Sequence, residues 1–491
     1  MDSTSKFYQL LNLSHKVIDK KCLKPLSKYD NLVTQNLQAA QINTRPAGAN
    51  GLWCFTLLPT VLIVYSLQYE VSPAYKLATC VSIGLLFYNI LFHIFISITS
   101  LALTTGLGAG CLVSGLITSA LVYNVVKEDT LFVLFFALPS PFIFCALLQH
   151  LLAYPKTFTL GEAVIVAQSA VISGTVLVAQ TMCNLGDKGT DVDLVNSVVI
   201  TVLSTVGLIV TALYFLKKDS RTVKLLIYIL TAAAAFAVIQ LYALLGVTCI
   251  PELFIFIFIH PTRVKLIALW ACLVLVAVFV LVLRTKTAIK ATTVTRKAFH
   301  LLAAAVFTTG ILLDLRLMEM AAGIGFGLLI LIEALRKSNI EPISPALQSA
   351  FLVYSDEKDC GEFALTPIYM YCGLGFGLVA PREAPTLERL AGVLAVGVGD
   401  AAASWFGKRY GHTKWHGQNR TVEGTLFNIL SQVITVYCLG LFDVMDCNNA
   451  VLRTAVAATA SSLVEAKTDQ VDNLILPLIN IIAFQFTHFM S

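Results

Sequence analysis

An aspartate set among small residues, followed within one loop by four cations and a series of glycines, is where this sequence concentrates its capacity for chemistry. Residues 397–425 read GVGDAAASWFGKRYGHTKWHGQNRTVEGT. Asp400 stands between Gly399 and a run of alanines ending at Ser404. An ionised carboxylate in an apolar helix is costly, and it faces a cavity, a partner or a metal. The small residues around it let either a substrate or another helix approach the backbone. Beyond it, Lys408, Arg409, Lys414 and Arg420 alternate with Gly407, Gly411, Gly417 and Gly424. Phosphate binding asks for free backbone N–H groups, a helix N-terminus and cationic side chains, and this loop offers all three. An ordinary cytosolic loop would account for the charges, but not for the glycines or for Glu423.

Other segments could join it. The stretches DEKD (356–359) and DQVDN (469–473) hold carboxylates of the kind that hard cations such as Mg²⁺ accept, although each alone reads as a solvated loop. Arg296, Lys297 and His300 lie within one helical turn at the start of an apolar run, so they could address one ligand there. A hydrogen-bonded filler is the plain alternative for His300. Glu333 and Arg336, three apart, read as a local ion pair. The glycine run GLGAG (106–110) lacks the strand that a dinucleotide site needs, and it is read as close helix packing. Neither a Walker A motif nor a protein-kinase motif set is present. The twelve cysteines contain no C-x-x-C pair, so they are read as small hydrophobes rather than a zinc or disulfide framework.

The elements that must position these residues are membrane helices. With 57% hydrophobic and 13% charged residues among 491, and a mean hydropathy of +0.79, the chain lies outside the soluble range. Apolar runs long enough to cross a bilayer recur through most of it. The expected fold is all-α and polytopic, with about fifteen spans near 52–68, 76–98, 100–123, 130–153, 160–181, 194–216, 222–247, 264–283, 299–313, 317–335, 364–380, 387–407, 424–442, 449–464 and 474–490. Residues 1–50 are read as a polar cytosolic tail, too polar for a signal peptide. Residues 51–283 are read as an N-terminal membrane region, and residues 284–491 as the catalytic one. Placing the basic linker 284–297 in the cytosol by the positive-inside rule puts loops 336–363, 408–423 and 465–473 on the same face, with the C-terminus lumenal. Arg263 and Lys265 disagree, falling at a lumenal end.

The order RKAFH, then DEKD with LTPIYMYCG, then GVGDAAASWFGKRYG with WHGQNRTVEGT, then EA with DQVDNLILP resembles the CTP-dependent polyprenol kinases, and within them the dolichol kinases. The resemblance covers roughly residues 284–491. It implies transfer of the terminal phosphate of CTP to the hydroxyl of dolichol at the endoplasmic reticulum membrane. The product would be dolichyl phosphate, a carrier lipid for protein glycosylation. The family's CTP loop maps onto Trp415, Gly417, Arg420, Thr421, Glu423, Gly424 and Thr425. Its Gly-Asp pair maps onto Gly399 and Asp400, and its Asp-Asn pair onto Asp472 and Asn473. On this reading Lys408, Arg420, Arg296 and Lys297 face the phosphates, while Asp400 and Asp472 share a divalent metal, Mg²⁺ by preference. His300 or a carboxylate takes the hydroxyl proton. His416 and Arg420 depart from the family's usual Pro and Lys; arginine keeps the charge and adds a fork suited to phosphate.

Rival readings are a kinase for phytol, farnesol or diacylglycerol, a cytidylyltransferase, and a transporter. The polar residues cluster at one face of the second half rather than at a midplane, which disfavours transport. The topology makes a prediction of its own. Asn12-Leu-Ser and Asn419-Arg-Thr are glycan acceptors by sequence, and on a cytosolic face both stay unmodified. Glycosidase treatment of the expressed protein should leave its gel mobility unchanged.

Overall fold

The computed structural model describes residues 24–126, 130–183, 190–217, 220–287, 293–355, 358–415, 420–445 and 449–490. Features read at Asn12, in 356–357, and in 416–419 with Gly417 lie outside the described residues. Each predicted span falls mainly on helical backbone, with breaks at 105–107 and 138–139, and the described residues hold no β-ladder beyond an isolated Lys414 to Thr421 bridge. Ten described helices are long and apolar enough to cross a membrane, among them Pro73–Ile98, Val223–Leu245, Pro261–Thr287, Leu315–Lys337 and Val422–Leu441. Others are shorter apolar helices, including Leu52–Gln68, Leu365–Val379 and Asp472–Phe486. Cys249–Phe258 and Ile343–Tyr354 are helices that lie between the predicted spans. Each is too short to give a span-length apolar signal.

The chain forms two compact units. One comprises Met1–Pro59 and Leu77–Thr175. There Thr159 and Glu162 form a reciprocal capping box at the start of helix Leu160–Cys183. Thr159 N donates to Glu162 Oε2 at 2.9 Å, and Glu162 N donates to Thr159 Oγ1 at 3.2 Å. Glu162 also receives Arg45 at 2.6 Å, so the cap doubles as a buried ion pair.

The other unit comprises Thr60–Lys76 and Val176–Ser491. Helices Thr190–Phe215 and Leu315–Lys337 pack closely where Gly323 and Gly327 face Val199 and Val202. Arg263 is buried there, donating to Asp314 at 2.7 Å and Asp191 at 3.2 Å, with Phe256 beneath it at 3.7 Å. Arg263, near the start of helix Pro261–Thr287, is thus held by two carboxylates within the fold. The Glu333 and Arg336 pair forms at 2.6 Å and is more than local. Arg336 also donates to the Glu362 carbonyl at 2.8 Å, and Glu333 receives the Ala364 N–H at 3.0 Å, so the pair fixes the chain that enters helix Leu365–Gly375.

Arg453 and Glu388 form a second buried pair, at 2.7 Å and only 3% and 0% exposed. Arg453 donates as well to the Phe484 carbonyl at 3.0 Å. Breaking such a pair leaves an uncompensated buried charge, at a cost of roughly 3–5 kcal/mol. Arg453→Met should therefore lower the thermal midpoint of the detergent-solubilised protein sharply, whereas Lys224→Met, on another helix and outside these pairs, should leave it nearly unchanged.

Candidate active site

Asp400 is the last residue of a π-helix, Val393–Asp400, which continues directly as helix Ala401–Tyr410. Wide π turns are uncommon and recur at functional sites. This one is almost wholly buried, and its neighbours come close because their contact points are glycines. A Cβ on Gly392 would lie 2.0 Å from the Gly373 carbonyl oxygen, and one on Gly373 would lie 2.2 Å from that of Asn473. Glycine thus draws the π-helix, helix Leu365–Gly375 and helix Asp472–Phe486 together beside Asp400.

The convergence leaves a cavity of about 460 Å³ lined by residues from five segments of the second unit. Arg296, Lys297 and His300 come from helix Thr293–Leu313, and Asp400, Ser404 and Lys408 from the π-helix and its continuation. Arg420, Thr421, Gly424 and Thr425 come from the start of helix Val422–Leu441. Glu465 ends one wall, and Lys358, Asp472 and Asn473 complete it. Arg296, Lys297, Lys358, Lys408 and Arg420 therefore face Asp400, Glu465 and Asp472, an excess of cations over carboxylates. Two helix N-termini, at Val422 and Asp472, add their partial positive charge. The arrangement suits a multiply charged anion.

The charges are interlocked. Lys297 Nζ binds Asp400 Oδ2, and His300 Nδ1 stands 4.0 Å from the same oxygen. Asp472 receives Lys358 at 3.0 Å and Arg420 at 2.8 Å, and Arg420 donates also to the Thr468 carbonyl at 2.8 Å. Burial works to lower the Arg420 pKa, but the carboxylates of Asp472, Glu465 and Asp400 more than offset this and hold it above its ordinary value. Arg420 stays a full cation aimed into the cavity.

Residues of the loop read as nucleotide-binding divide into two groups. Thr421 caps its helix by accepting the Gly424 N–H at 3.1 Å, and with Gly424 and Thr425 it lines the cavity. Trp415 and Glu423 instead brace the loop. The Trp415 indole donates to Thr425 Oγ1 at 2.9 Å, and both oxygens of Glu423 accept the Thr413 N–H, at 3.0 and 3.1 Å. Gly399 does not line the cavity either. It lies against Asn428 and Gln432, where a Cβ would sit 2.2 Å from Asn428 Oδ1.

Two charged cavity residues, Glu465 and Lys358, stand inside the quoted motifs but have no role assigned to them from sequence. Glu465 offers the same signal as Asp400, an acid in a helix of small residues (TASSLVEAK), but it sits at that helix's end, where it passes for a loop charge. Lys358 lies in DEKD, a stretch read for its carboxylates. Of these, Asp359 accepts the Thr366 N–H at 3.1 Å, while the lysine reaches Asp472.

Among the described residues no three His, Cys, Asp or Glu side chains close around one point. Asp400 and Asp472 nevertheless share the cavity, and one or two carboxylates completed by substrate phosphates are the usual protein contribution to a Mg²⁺ site. The donor set fits a metal that arrives with a phosphate ligand.

Fold and cavity together define a multi-pass membrane protein with a cation-rich, acid-containing pocket for an anionic ligand. The family model described as dolichol kinase matches residues 81–371, a range that includes the cavity residues Arg296, Lys297, His300, Lys358 and Thr366. Dolichol kinase of Bos taurus is 31% identical over 408 residues, covering 78% of this chain and 76% of the relative. That of Homo sapiens is 30% identical with the same coverage. Dolichol kinase EVAN of Arabidopsis thaliana is 27% identical over 46% of this chain and 41% of its own length. No solved structure matches. The chain belongs to the dolichol kinase family, and it is a membrane kinase that phosphorylates dolichol.

The packing of Gly399 can be tested. Gly399→Ala drives a methyl group into Asn428 and Gln432, so it should lower both kinase activity and the thermal midpoint, an overpacking cost of about 1–3 kcal/mol. Ser404→Ala, on the cavity side of the same helix, should leave the midpoint unchanged.

Proposed function

We propose that the cavity around Asp400 is the site of phosphoryl transfer and that CTP is the donor. The carrying observation is the meeting of five cationic side chains, two helix N-termini and three carboxylates in one pocket. Loose phosphoryl transfer needs positioning and charge neutralisation more than covalent chemistry. Arg420 and Lys408 hold the phosphates, helped by Arg296, Lys297 and the amides at the start of helix Val422–Leu441. Asp400 and Asp472 would hold Mg²⁺, which supplies neutralisation of phosphate charge when bound. Trp415 and Glu423 act indirectly, by holding Thr425 and Thr413 in place. Asn473 lies in the first turn of the helix whose N-terminus faces the pocket.

Dolichol carries one hydroxyl on a long apolar chain, so it reaches the pocket sideways from the bilayer. Residues 284–491 form the catalytic region on this reading, which is supported by the position of every cavity residue between Arg296 and Asn473. The positive-inside argument and the need for a soluble nucleotide support a cytosolic opening. The family role supports an endoplasmic reticulum membrane and supply of dolichyl phosphate for glycosylation.

Membranes given CTP and dolichol should transfer γ-label to lipid and no α-label, with ATP a poor substitute. Asp400→Asn, verified as folded and inserted, should lose activity by about 10²-fold or more, the scale for removing a preorganised electrostatic contact. Near-normal activity in that variant would remove Asp400 from the site.

A further inference from the structure

We infer that Glu465 is the proton acceptor for the dolichol hydroxyl and that a buried chain of amides holds it for that task. The inference rests on placing phosphoryl transfer in the cavity around Asp400. Three carboxylates line that cavity, and they are not equivalent. Asp400 is bound by Lys297, and Asp472 by both Lys358 and Arg420. A bound cation stabilises the charged form of a carboxylate and makes it a poor base. Glu465 has no described cation within ion-pair distance. Its Oε2 accepts from Asn428 Nδ2, a neutral donor, and its Oε1 accepts no hydrogen bond from the described residues.

Asn428 is not free to turn away. Its Oδ1 accepts Gln432 Nε2 at 2.6 Å, which commits its NH₂ to Glu465. Gln432 is set in turn by Asn480, whose Nδ2 donates to Gln432 Oε1 and to the Ala391 carbonyl, both at 3.2 Å. Asn428, Gln432 and Asn480 are 1%, 0% and 0% exposed, and Glu465 is 8% exposed. Burying four polar side chains in an apolar bundle is costly unless they are paired; here they are linked in series, with Asn480 Oδ1 left without a partner among the described residues, and the series ends on the one member that opens on the cavity. Gly399 makes room for it.

The charged groups that act on Glu465 are Lys297 and Arg420 on the cationic side, with Asp400 and Asp472 on the acidic side. Lys358, Lys408, Arg296 and His300 line the rest of the cavity. His300 is the competing acceptor, with Nδ1 buried and unbonded among the described residues. A proton there would add a third positive charge to the helical turn that holds Arg296 and Lys297, whereas a proton on Glu465 removes a negative charge from a site that already holds two others. In the step itself, the hydroxyl oxygen bonds to the γ-phosphorus as the bond from that phosphorus to the bridging oxygen breaks. The nucleoside diphosphate leaves with the bonding electron pair, and the hydroxyl proton passes to Glu465.

The test uses the full-length enzyme in proteoliposomes, with kcat measured across pH and CTP binding measured separately by equilibrium with labelled nucleotide. Glu465→Gln should lower kcat by about 10²-fold or more, the range for loss of a general base, and should abolish the ascending limb of the pH profile. CTP binding should stay within about twofold of wild type, and Glu465→Asp should restore part of kcat together with the limb. A Glu465→Gln enzyme that keeps near-wild-type kcat, or keeps the ascending limb, or recovers with raised Mg²⁺, overturns the assignment. Should that variant not fold, Asn428→Ser serves instead. A limb displaced along the pH axis supports the chain, and an unmoved limb overturns it. Arg420→Gln separates this inference from the placement of the site. Unchanged CTP binding in Arg420→Gln removes the cavity as the transfer site, whereas weakened binding with Glu465→Gln still active removes only the base.

Discussion

The interaction on which the rest depends is the mutual neutralisation of charges at one end of an apolar helix bundle. Lys297 with Asp400, and Lys358 and Arg420 with Asp472, bring charged groups from five separate segments into one pocket. None of these groups is cheap to bury alone. Each therefore fixes the position of another, and the helices that carry them are held in register by the site as much as the site is held by them. An excess of cations remains once the pairs are counted, and that excess suits the pocket to an anionic ligand.

Such a pocket requires helices that approach more closely than ordinary side chains permit. Gly373 and Gly392 allow this where carbonyl oxygens of adjacent segments lie at the distance a Cβ would occupy. The π-helix Val393–Asp400 then delivers Asp400 at the mouth of the convergence, and its continuation carries Ser404 and Lys408 along the same wall. Behind the wall, Gly399 leaves the space taken by Asn428 and Gln432. The glycines of this region serve packing first, and the chemistry follows from what the packing brings together.

Away from the cavity the same principle recurs without a pocket. Arg45 with Glu162, Arg263 with Asp314, and Arg453 with Glu388 are charges paired inside apolar surroundings. They tie helix ends to neighbouring segments.

From sequence alone, the helical membrane class was determined, because span-length apolar runs admit few other structures. Asp400, the cationic glycine loop and the groups at Arg296–His300 and Asp472 were legible too, since charge and glycine stand out against hydrocarbon. Short helices such as Ile343–Tyr354 were not, because they carry too little apolar length to signal a span. Only the tertiary structure decided which members of the loop face the cavity and which brace it. Thr421 and Trp415 are near neighbours in the chain, yet one caps a helix into the pocket and the other turns its indole to Thr425. It alone brought Glu465 and Lys358 to Asp472 and Asp400. The reason is physical: a residue's partners in a helix bundle are set by the angle and closeness of helices distant in sequence, and no local spacing records that.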